Sequence, residues 1–400
     1  MSKTPLFIHI ARPTYGRYLL LGNHIKTEGM DILTDMQGPF LVLGNHSHAY
    51  DSLFASAAAK VHIRWVAGAY LFKLYGLKTL LGRWVGGISK QQGRSDLETI
   101  RAISAALKGG DIVGLFPEGT RTWDGEPVGF SESIAKLVKL FRVPVVIIAF
   151  EGIYALKPRW ADKKRVGKAT LRVLPPISAE TINAMTKQEL YAYLAETLNF
   201  SYREWQERTR TPFRGKAQAE GLQRALYLCP DCHSFSSLTT KKDLIMCNHC
   251  NLKSRLDAHD RFIPIQGNNP FRDVPAWHEW ERSQLLSRME ATTEGSPIFP
   301  PDKGVLYQKG VDNRLLTLSK DFTLTMTGEG LQVRSNNPPL LALFPLANIQ
   351  SMIINAKHTI ELYCEETLYR IRIDKHGSSL KYVELFHLNE RILKQTKEDV

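Results

Sequence analysis

The sequence predicts an α/β domain over its first half, a small cysteine-knuckle module after it, and a mostly β domain closed by one helix at the end. Three observations predict this. Between 39 and about 176, short apolar runs at 40–43, 112–116 and 143–150 alternate with longer helix-like stretches. Two CxxC pairs, Cys229 with Cys232 and Cys247 with Cys250, stand 14 residues apart. From 304 to 373 the pattern changes to short strand-like runs divided by turn residues. An amphipathic stretch over 379–394 follows, carried by Tyr382, Leu385, Phe386 and Ile392.

In chain order, the run 40–43 leads through a turn into a helix-like 52–60. Ser95 followed three residues later by Glu98 is a capping box opening a helix to Leu107, which Lys108-Gly109-Gly110 stops. The strand 111–116 follows directly. Helical spacing through Leu190, Leu194 and Leu198 over 186–208 closes the first domain, drawn at 1–215. The cysteine module spans 216–262, and a proline-rich linker with one short helix over 276–289, bearing Trp277 and Trp280, spans 263–301. The β domain takes 302–400, with strands expected at 305–308, 315–318, 322–326, 331–334, 341–344, 359–363 and 368–373.

Charge narrows the function classes. The 400 residues carry 52 basic and 40 acidic side chains, a net +12, of which residues 1–215 hold 29 basic and 18 acidic. The remaining 23 and 22 nearly cancel, so the positive field belongs to the first half and favours anionic partners there. No apolar run reaches the roughly 18 residues that cross a bilayer. Lys3, His9, Arg12 and Pro13 interrupt the start, which lacks the apolar core of a signal peptide. The expectation is a cytoplasmic protein, at most peripheral on a membrane face. Five cysteines are too few for a disulfide scaffold, and paired as CxxC in a reducing compartment four of them point to metal.

Two constellations carry chemistry. His46 and Asp51 lie five apart between a strand and a helix, so they meet only if Asp51 reaches back from the first helical turn. Such a carboxylate fixes the imidazole tautomer and stabilises imidazolium, which a general base needs to activate a hydroxyl. By itself the pair is also compatible with chance spacing. Phe116-Pro117-Glu118-Gly119-Thr120-Arg121 follows another strand and places an arginine fork where it can grip a phosphate, the glycine permitting close approach. The bland alternative is a turn with a surface ion pair between Glu118 and Arg121.

Together and in this order, residues 1 to about 210 resemble the glycerophospholipid acyltransferase family, in which lysophosphatidic acid acyltransferases are the commonest members. Asn45, His46 and Asp51 stand as its first block, and Phe116 to Arg121 as its third. Its second block, running from glycine to arginine, is here Gly86-Gly87-Ile88-Ser89-Lys90, with Lys90 or Arg94 as the cation; its fourth keeps only Pro144 of two prolines. The resemblance implies direct acyl transfer from acyl-coenzyme A or an acyl-carrier protein to a lysophospholipid hydroxyl. The acceptor would be 1-acyl-sn-glycerol 3-phosphate, another lysolipid or glycerol 3-phosphate. His46 and Asp51 would be catalytic, Lys90 and Arg121 would hold the phosphate, and Asn45, Glu118, Gly119 and Thr120 would shape its site. A non-catalytic lipid-binding scaffold is the reading from another class.

The stretch 69–85 mixes Tyr70, Phe72, Leu74, Tyr75, Leu77 and Trp84 with Lys73, Lys78 and Arg83, as an interfacial segment or a buried core helix would. The basic group Arg159, Lys163, Lys164, Arg165 and Lys168 is either a lipid-attracting patch or a solvated loop. Cys229, Cys232, Cys247 and Cys250 are expected to bind a structural Zn2+ as a zinc ribbon; a redox pair, an iron site or ligation by His233 or His249 are the alternatives. Nucleic acid is disfavoured because the near-neutral second half has no basic stripe. Strands plus one terminal helix resemble a pleckstrin-homology or GRAM-like domain, for lipid head groups, a protein partner or packing.

Overall fold

The computed structural model describes residues 4–36, 38–73, 78–90, 97–310, 314–336, 339–374 and 377–398. The chain falls into two units: Met1–Arg159 with Lys164–Gly215, and Trp160–Lys163 with Lys216–Val400.

The first unit is built on seven strands: β1 (Ile25–Glu28), β2 (Leu41–Gly44), β3 (Ile63–Gly68), β4 (Ile88–Lys90), β5 (Ile112–Leu115), β6 (Val145–Glu151) and β7 (Ala169–Val173). They lie in the order β1-β7-β6-β2-β5-β3-β4. Strands β2 to β6 are mutually parallel, while β7 runs against β6 and carries β1 parallel to itself. Side chains alternate across a strand, and here both sides are apolar. Phe40, Val42, Val146, Ile148 and Phe150 enter one core with Phe54, Tyr202 and Trp205. Leu41, Leu43, Val145 and Ile147 enter another with Ile103, Val138, Leu190 and Leu194. Burial on both faces is why these strands read as unbroken apolar runs.

The runs at 40–43, 112–116 and 143–150 are β2, β5 and β6, and the stretch 52–60 is the helix Asp51–Ala58. The helix Leu97–Lys108 ends at the expected stop, with Gly110 at φ 84°; Ser95 and Arg94 lie outside the described residues. The stretch 186–208 is two helices, Lys187–Thr197 and Tyr202–Thr209. They are separated because the Ser201 side chain accepts from Glu204 N and caps a new helix. The described parts of the stretch 69–85 include a short turn Leu71–Lys73 and a wide helical turn Thr79–Trp84, which has no buried residue and leaves Trp84 exposed. Leu74, Tyr75 and Leu77 lie outside the described residues.

In the second unit the cysteine module carries β8 (Leu238–Lys241), β9 (Leu244–Cys247), β10 (Lys253–Leu256) and β11 (Phe262–Gln266), an antiparallel sheet in the order β11-β10-β9-β8. Residues 263–301 hold the helix Val274–Ala291, longer than its sequence signal. The Asp273 side chain caps it by accepting from Ala276 N. Trp277 is fully buried with its Nε1 donating to Leu228 O, and Glu281 accepts from Tyr227 N and Leu228 N. This helix is therefore packed onto the chain just before the first cysteine.

Seven antiparallel strands follow: β12 (Asp302–Lys309), β13 (Leu315–Met326), β14 (Gly330–Asn336), β15 (Pro339–Pro345), β16 (Ile349–Ala356), β17 (Thr359–Cys364) and β18 (Thr367–Ile373). Their order is β15-β14-β13-β12-β18-β17-β16, and the helix Leu380–Glu398 closes the chain. The expected count of seven is met by different strands. The runs 315–318 and 322–326 are one strand, in which Lys320 and Asp321 are both exposed where the pairing with β12 shifts register, and β16 (349–356) has no counterpart among the expected strands. Lys381, fully buried, donates to Asp302 Oδ2 at 2.7 Å and Ser236 Oγ at 2.8 Å, tying the last helix to β12 and the cysteine module.

Candidate active site

Because β2, β3, β4, β5 and β6 run in one direction, their C-terminal ends share one edge, the edge where open α/β sheets bind ligands. His46 follows β2, Tyr70 follows β3, Lys90 ends β4, and the segment 116–121 follows β5. Arg159 follows β6 and the short helix Ile153–Leu156.

Asp51 is the first residue of its helix, with no exposed surface, and its Oδ2 reaches back over the turn. That oxygen accepts from Ser47 N and His48 N at 2.8 Å and lies 2.9 Å from His46 Nδ1. Facing a carboxylate, Nδ1 carries the proton, and Nε2 keeps its lone pair. Burial lowers the His46 pKa below its usual value; the bond and charge of Asp51 oppose this, and the guanidinium groups of Arg121 and Arg159 add to it. The ring is a neutral base near pH 7. It lies flat on Phe116 at 4.2 Å between centroids, and Phe116 lies flat on Trp65 at 5.0 Å. Gly44 permits this stack: a Cβ there would stand 2.7 Å from the Phe150 ring and 3.3 Å from Phe116. His48 is held apart from this chemistry, since its Nδ1 accepts from Tyr50 N and burial takes its pKa to about 4.

The segment after β5 grips the turn that carries His46. Glu118 Oε1 accepts from His46 N at 2.8 Å, Thr122 N donates to His46 O at 3.1 Å, and Glu118 Oε2 accepts from Val128 N at 3.2 Å. Burial raises the Glu118 pKa to about 7 against those two amide bonds. Gly119 sits at φ 67° with open space about it, so its backbone conformation, not crowding, calls for glycine.

Arg159 was missed as a site residue. Its Nη1 donates to Thr120 Oγ1 at 2.8 Å and to Arg121 O at 3.0 Å, and its guanidinium stands 4.5 Å over the Trp123 ring. Burial and then the charge of Arg121 bring its pKa down to about 9, and burial lowers that of Arg121 too. Tyr70 lies within electrostatic reach of both. Two adjacent half-buried cations beside a neutral base are a place chemically suited to an anion. The signal was present as Lys157-Pro158-Arg159, but sequence distance put it with the basic group at 163–168.

Asn45 spends its side chain on β6, accepting from Phe150 N at 2.8 Å and donating to Phe150 O at 3.4 Å. Lys90 closes β4 with its carbonyl accepting from Ala69 N at 2.7 Å. Thus His46, Asp51, Glu118, Gly119, Thr120 and Arg121 form one cluster, Asn45 braces it from behind, and Lys90 lies at the same sheet edge.

Residues 24–151 match the family model described as Acyltransferase. Over this segment, about a third of the chain, the sequence is similar to the acyltransferase family. The chain is similar to 1-acyl-sn-glycerol-3-phosphate acyltransferase alpha of Ovis aries, 26% identical over 168 residues, 40% of this chain and 56% of that protein. The Homo sapiens protein of the same name is 25% identical over 176 residues, 40% and 57%. The chain thus spans little more than half the length of these relatives. The crystal structure of the 1-acyl-sn-glycerophosphate (LPA) acyltransferase PlsC from Thermotoga maritima aligns at TM-score 0.43 and 22% identity, covering 50% of this chain and 78% of that one. The matched segment contains every sequence-predicted site residue of the first unit; Arg159 lies beyond its end.

In the second unit, Cys229, Cys232, Cys247 and Cys250 bring their sulfurs within 4.8 Å of one another and could hold a metal ion. Cys229 to Cys250 is 3.6 Å and Cys232 to Cys247 is 3.7 Å. Zinc–thiolate bonds of about 2.3 Å at tetrahedral angles need sulfurs about 3.8 Å apart, so the four thiols fit that ion. His249 contributes its backbone N–H, donating to Cys247 Sγ.

Proposed function

We propose that this protein is an O-acyltransferase that moves a fatty acyl group from acyl-coenzyme A or an acyl-carrier protein to the free hydroxyl of a lysophospholipid. The preferred acceptor is 1-acyl-sn-glycerol 3-phosphate, giving phosphatidic acid. The observation that carries the reading is a neutral His46, its Nδ1 on Asp51, beside the paired guanidinium groups of Arg121 and Arg159. His46 Nε2 removes the hydroxyl proton as that oxygen attacks the thioester carbonyl carbon. The carbon–sulfur bond then breaks, and the leaving thiolate takes the proton from the imidazolium. Arg121 and Arg159 hold the phosphate, and holding both reactants in place can remove about 7 to 11 kcal/mol of the barrier.

The membrane contact in this reading lies at the N-terminal helices, not only at 69–85. Leu6, Ile10, Tyr18 and Leu21 are 75%, 60%, 68% and 64% exposed, and the Phe7 ring meets Trp84 at 5.6 Å. No helix among the described residues is long and apolar enough to cross a membrane; the contact in this proposal is interfacial, from the cytoplasmic side. The four cysteines bind structural Zn2+ in a zinc ribbon, and β12 to β18 with the last helix form a pleckstrin-homology or GRAM-like module for lipid or protein contact.

Release of free thiol from acyl-coenzyme A or acyl-carrier protein on adding 1-acyl-sn-glycerol 3-phosphate, lost in His46→Ala, tests the reading. Release with another lysolipid or glycerol 3-phosphate changes the acceptor. No release with any pair leaves a lipid-binding scaffold.

A further inference from the structure

We infer that Glu118 is a positioning residue that couples the catalytic turn to the loop at 127–130, rather than a group that touches the acceptor phosphate. The inference rests on the acyltransferase reading above. Both carboxylate oxygens are committed to backbone amides, Oε1 to His46 N at 2.8 Å and Oε2 to Val128 N at 3.2 Å. With Thr122 N on His46 O and the Phe116 ring against the imidazole, the segment 116–122 holds the histidine by its N–H, its carbonyl and its ring. Glu118 is the member of this set that also reaches away from the chemistry. Its side chain lines a cleft walled by Pro127, Gly129, Phe130, Tyr191 and Leu198. Movement of the 127–130 loop, or anything seated in that cleft, therefore acts on the backbone of His46 through one carboxylate.

Both amide bonds are at full strength only when the carboxylate is ionised, because a proton removes the charge that strengthens them and turns one oxygen into a hydroxyl, a poorer acceptor. The charge acting on it is that of Asp51 from the catalytic turn, and Tyr191 is the titratable side chain lining the cleft with it. Its pKa is raised to about 7 by burial, while burial moves that of His46 the other way, below the usual histidine value.

The test is steady-state kinetics with acyl-coenzyme A and 1-acyl-sn-glycerol 3-phosphate, on full-length protein that retains its thermal unfolding midpoint. Wild type showing turnover establishes the reading on which this rests; absence of turnover refutes that reading instead. The wild-type kcat/KM falls below about pH 7 with a limb that Glu118→Gln removes; the acceptor's own second phosphate ionisation near pH 6 is common to both proteins. At pH 8, Glu118→Gln lowers kcat about 10²-fold and leaves the acceptor KM within about threefold. Val128→Pro deletes one donor while keeping Glu118 and His46, and moves the same limb to higher pH. A raised KM with unchanged kcat in Glu118→Gln would make Glu118 a phosphate contact and overturn the inference. So would a limb unmoved in both variants.

Discussion

Asp51→Asn isolates the electrostatic part of the dyad. The wild-type carboxylate is wholly buried and concentrates three donors on Oδ2, one of them His46 Nδ1 at 2.9 Å. An asparagine oxygen can keep Ser47 N and His48 N, so the turn should hold its shape. What disappears is the negative charge beside the imidazolium that forms as the hydroxyl proton arrives. For charge centres about 4 Å apart at an effective dielectric constant of about 20, that attraction is about 4 kcal/mol, or about 10³ in kcat. Since Asp51 touches neither reactant, the acceptor KM should change less than threefold. Thiol release from acyl-coenzyme A, followed spectrophotometrically at saturating 1-acyl-sn-glycerol 3-phosphate, measures both. Turnover within tenfold of wild type in a variant that keeps its unfolding midpoint would refute the assignment of Asp51 as the charge partner. A drop confined to KM would refute the claim that the carboxylate acts on the transition state.

Arg121→Ala and Arg159→Ala should each raise the KM of a phosphate-bearing acceptor by about 10 to 10², the worth of one charged hydrogen bond, with a smaller effect on kcat; an unchanged KM in both removes the cradle. Cys232→Ser with Cys250→Ser should abolish stoichiometric zinc, read by atomic emission, and expose 216–266 to proteolysis, because binding energy of a closed thiolate site is folding energy. Leu6→Asp with Ile10→Asp should cut co-sedimentation with phospholipid vesicles by about 10². The two side chains together contribute about 3 kcal/mol when immersed, and circular dichroism should show the helices intact.

The candidate site was more legible than the scaffold because its residues are close in sequence and chemically distinctive. His46 and Asp51 can meet in only one local way, and the helix does begin at Asp51. The three central strands were legible because burial on both faces leaves unbroken apolar runs. Strands β1 and β4, of four and three residues, carry Lys26, Glu28 and Lys90 and offer no such run. Arg159 was not assignable because the contact that matters, to Thr120 and Arg121 nearly forty positions earlier, is made only by the sheet order that sets β6 beside β2. Glu118 was visible as a residue but not as a clamp, since a carboxylate bonded to backbone amides leaves no side-chain pattern. In the C-terminal domain the count of strands survived because apolar alternation is dense, while the division failed at 315–326, where two polar residues looked like a turn.

The two arginines bear on the base as well as on the acceptor. Arg121 and Arg159 both push protons off His46, so the free protein holds a weaker base than Asp51 alone would make. A bound phosphate dianion would cancel most of that field, and the proton affinity of His46 would rise when the acceptor, and not water alone, occupies the cradle. The sign follows from the charges: lowering nearby positive potential favours imidazolium, so the midpoint moves up on binding. The expected rise is on the order of one pKa unit, equivalent to about 1.4 kcal/mol. Titration of the His46 ring carbon by NMR in selectively labelled protein, assigned by its absence in His46→Gln, reads this directly with and without sn-glycerol 3-phosphate. Replacing either arginine by methionine should raise the ligand-free midpoint and shrink the further rise on binding. A midpoint that falls on addition of the phosphate, or does not respond to either substitution, would mean that the guanidinium groups and the imidazole do not share one electrostatic site, and acceptor recognition would have to be separated from base tuning.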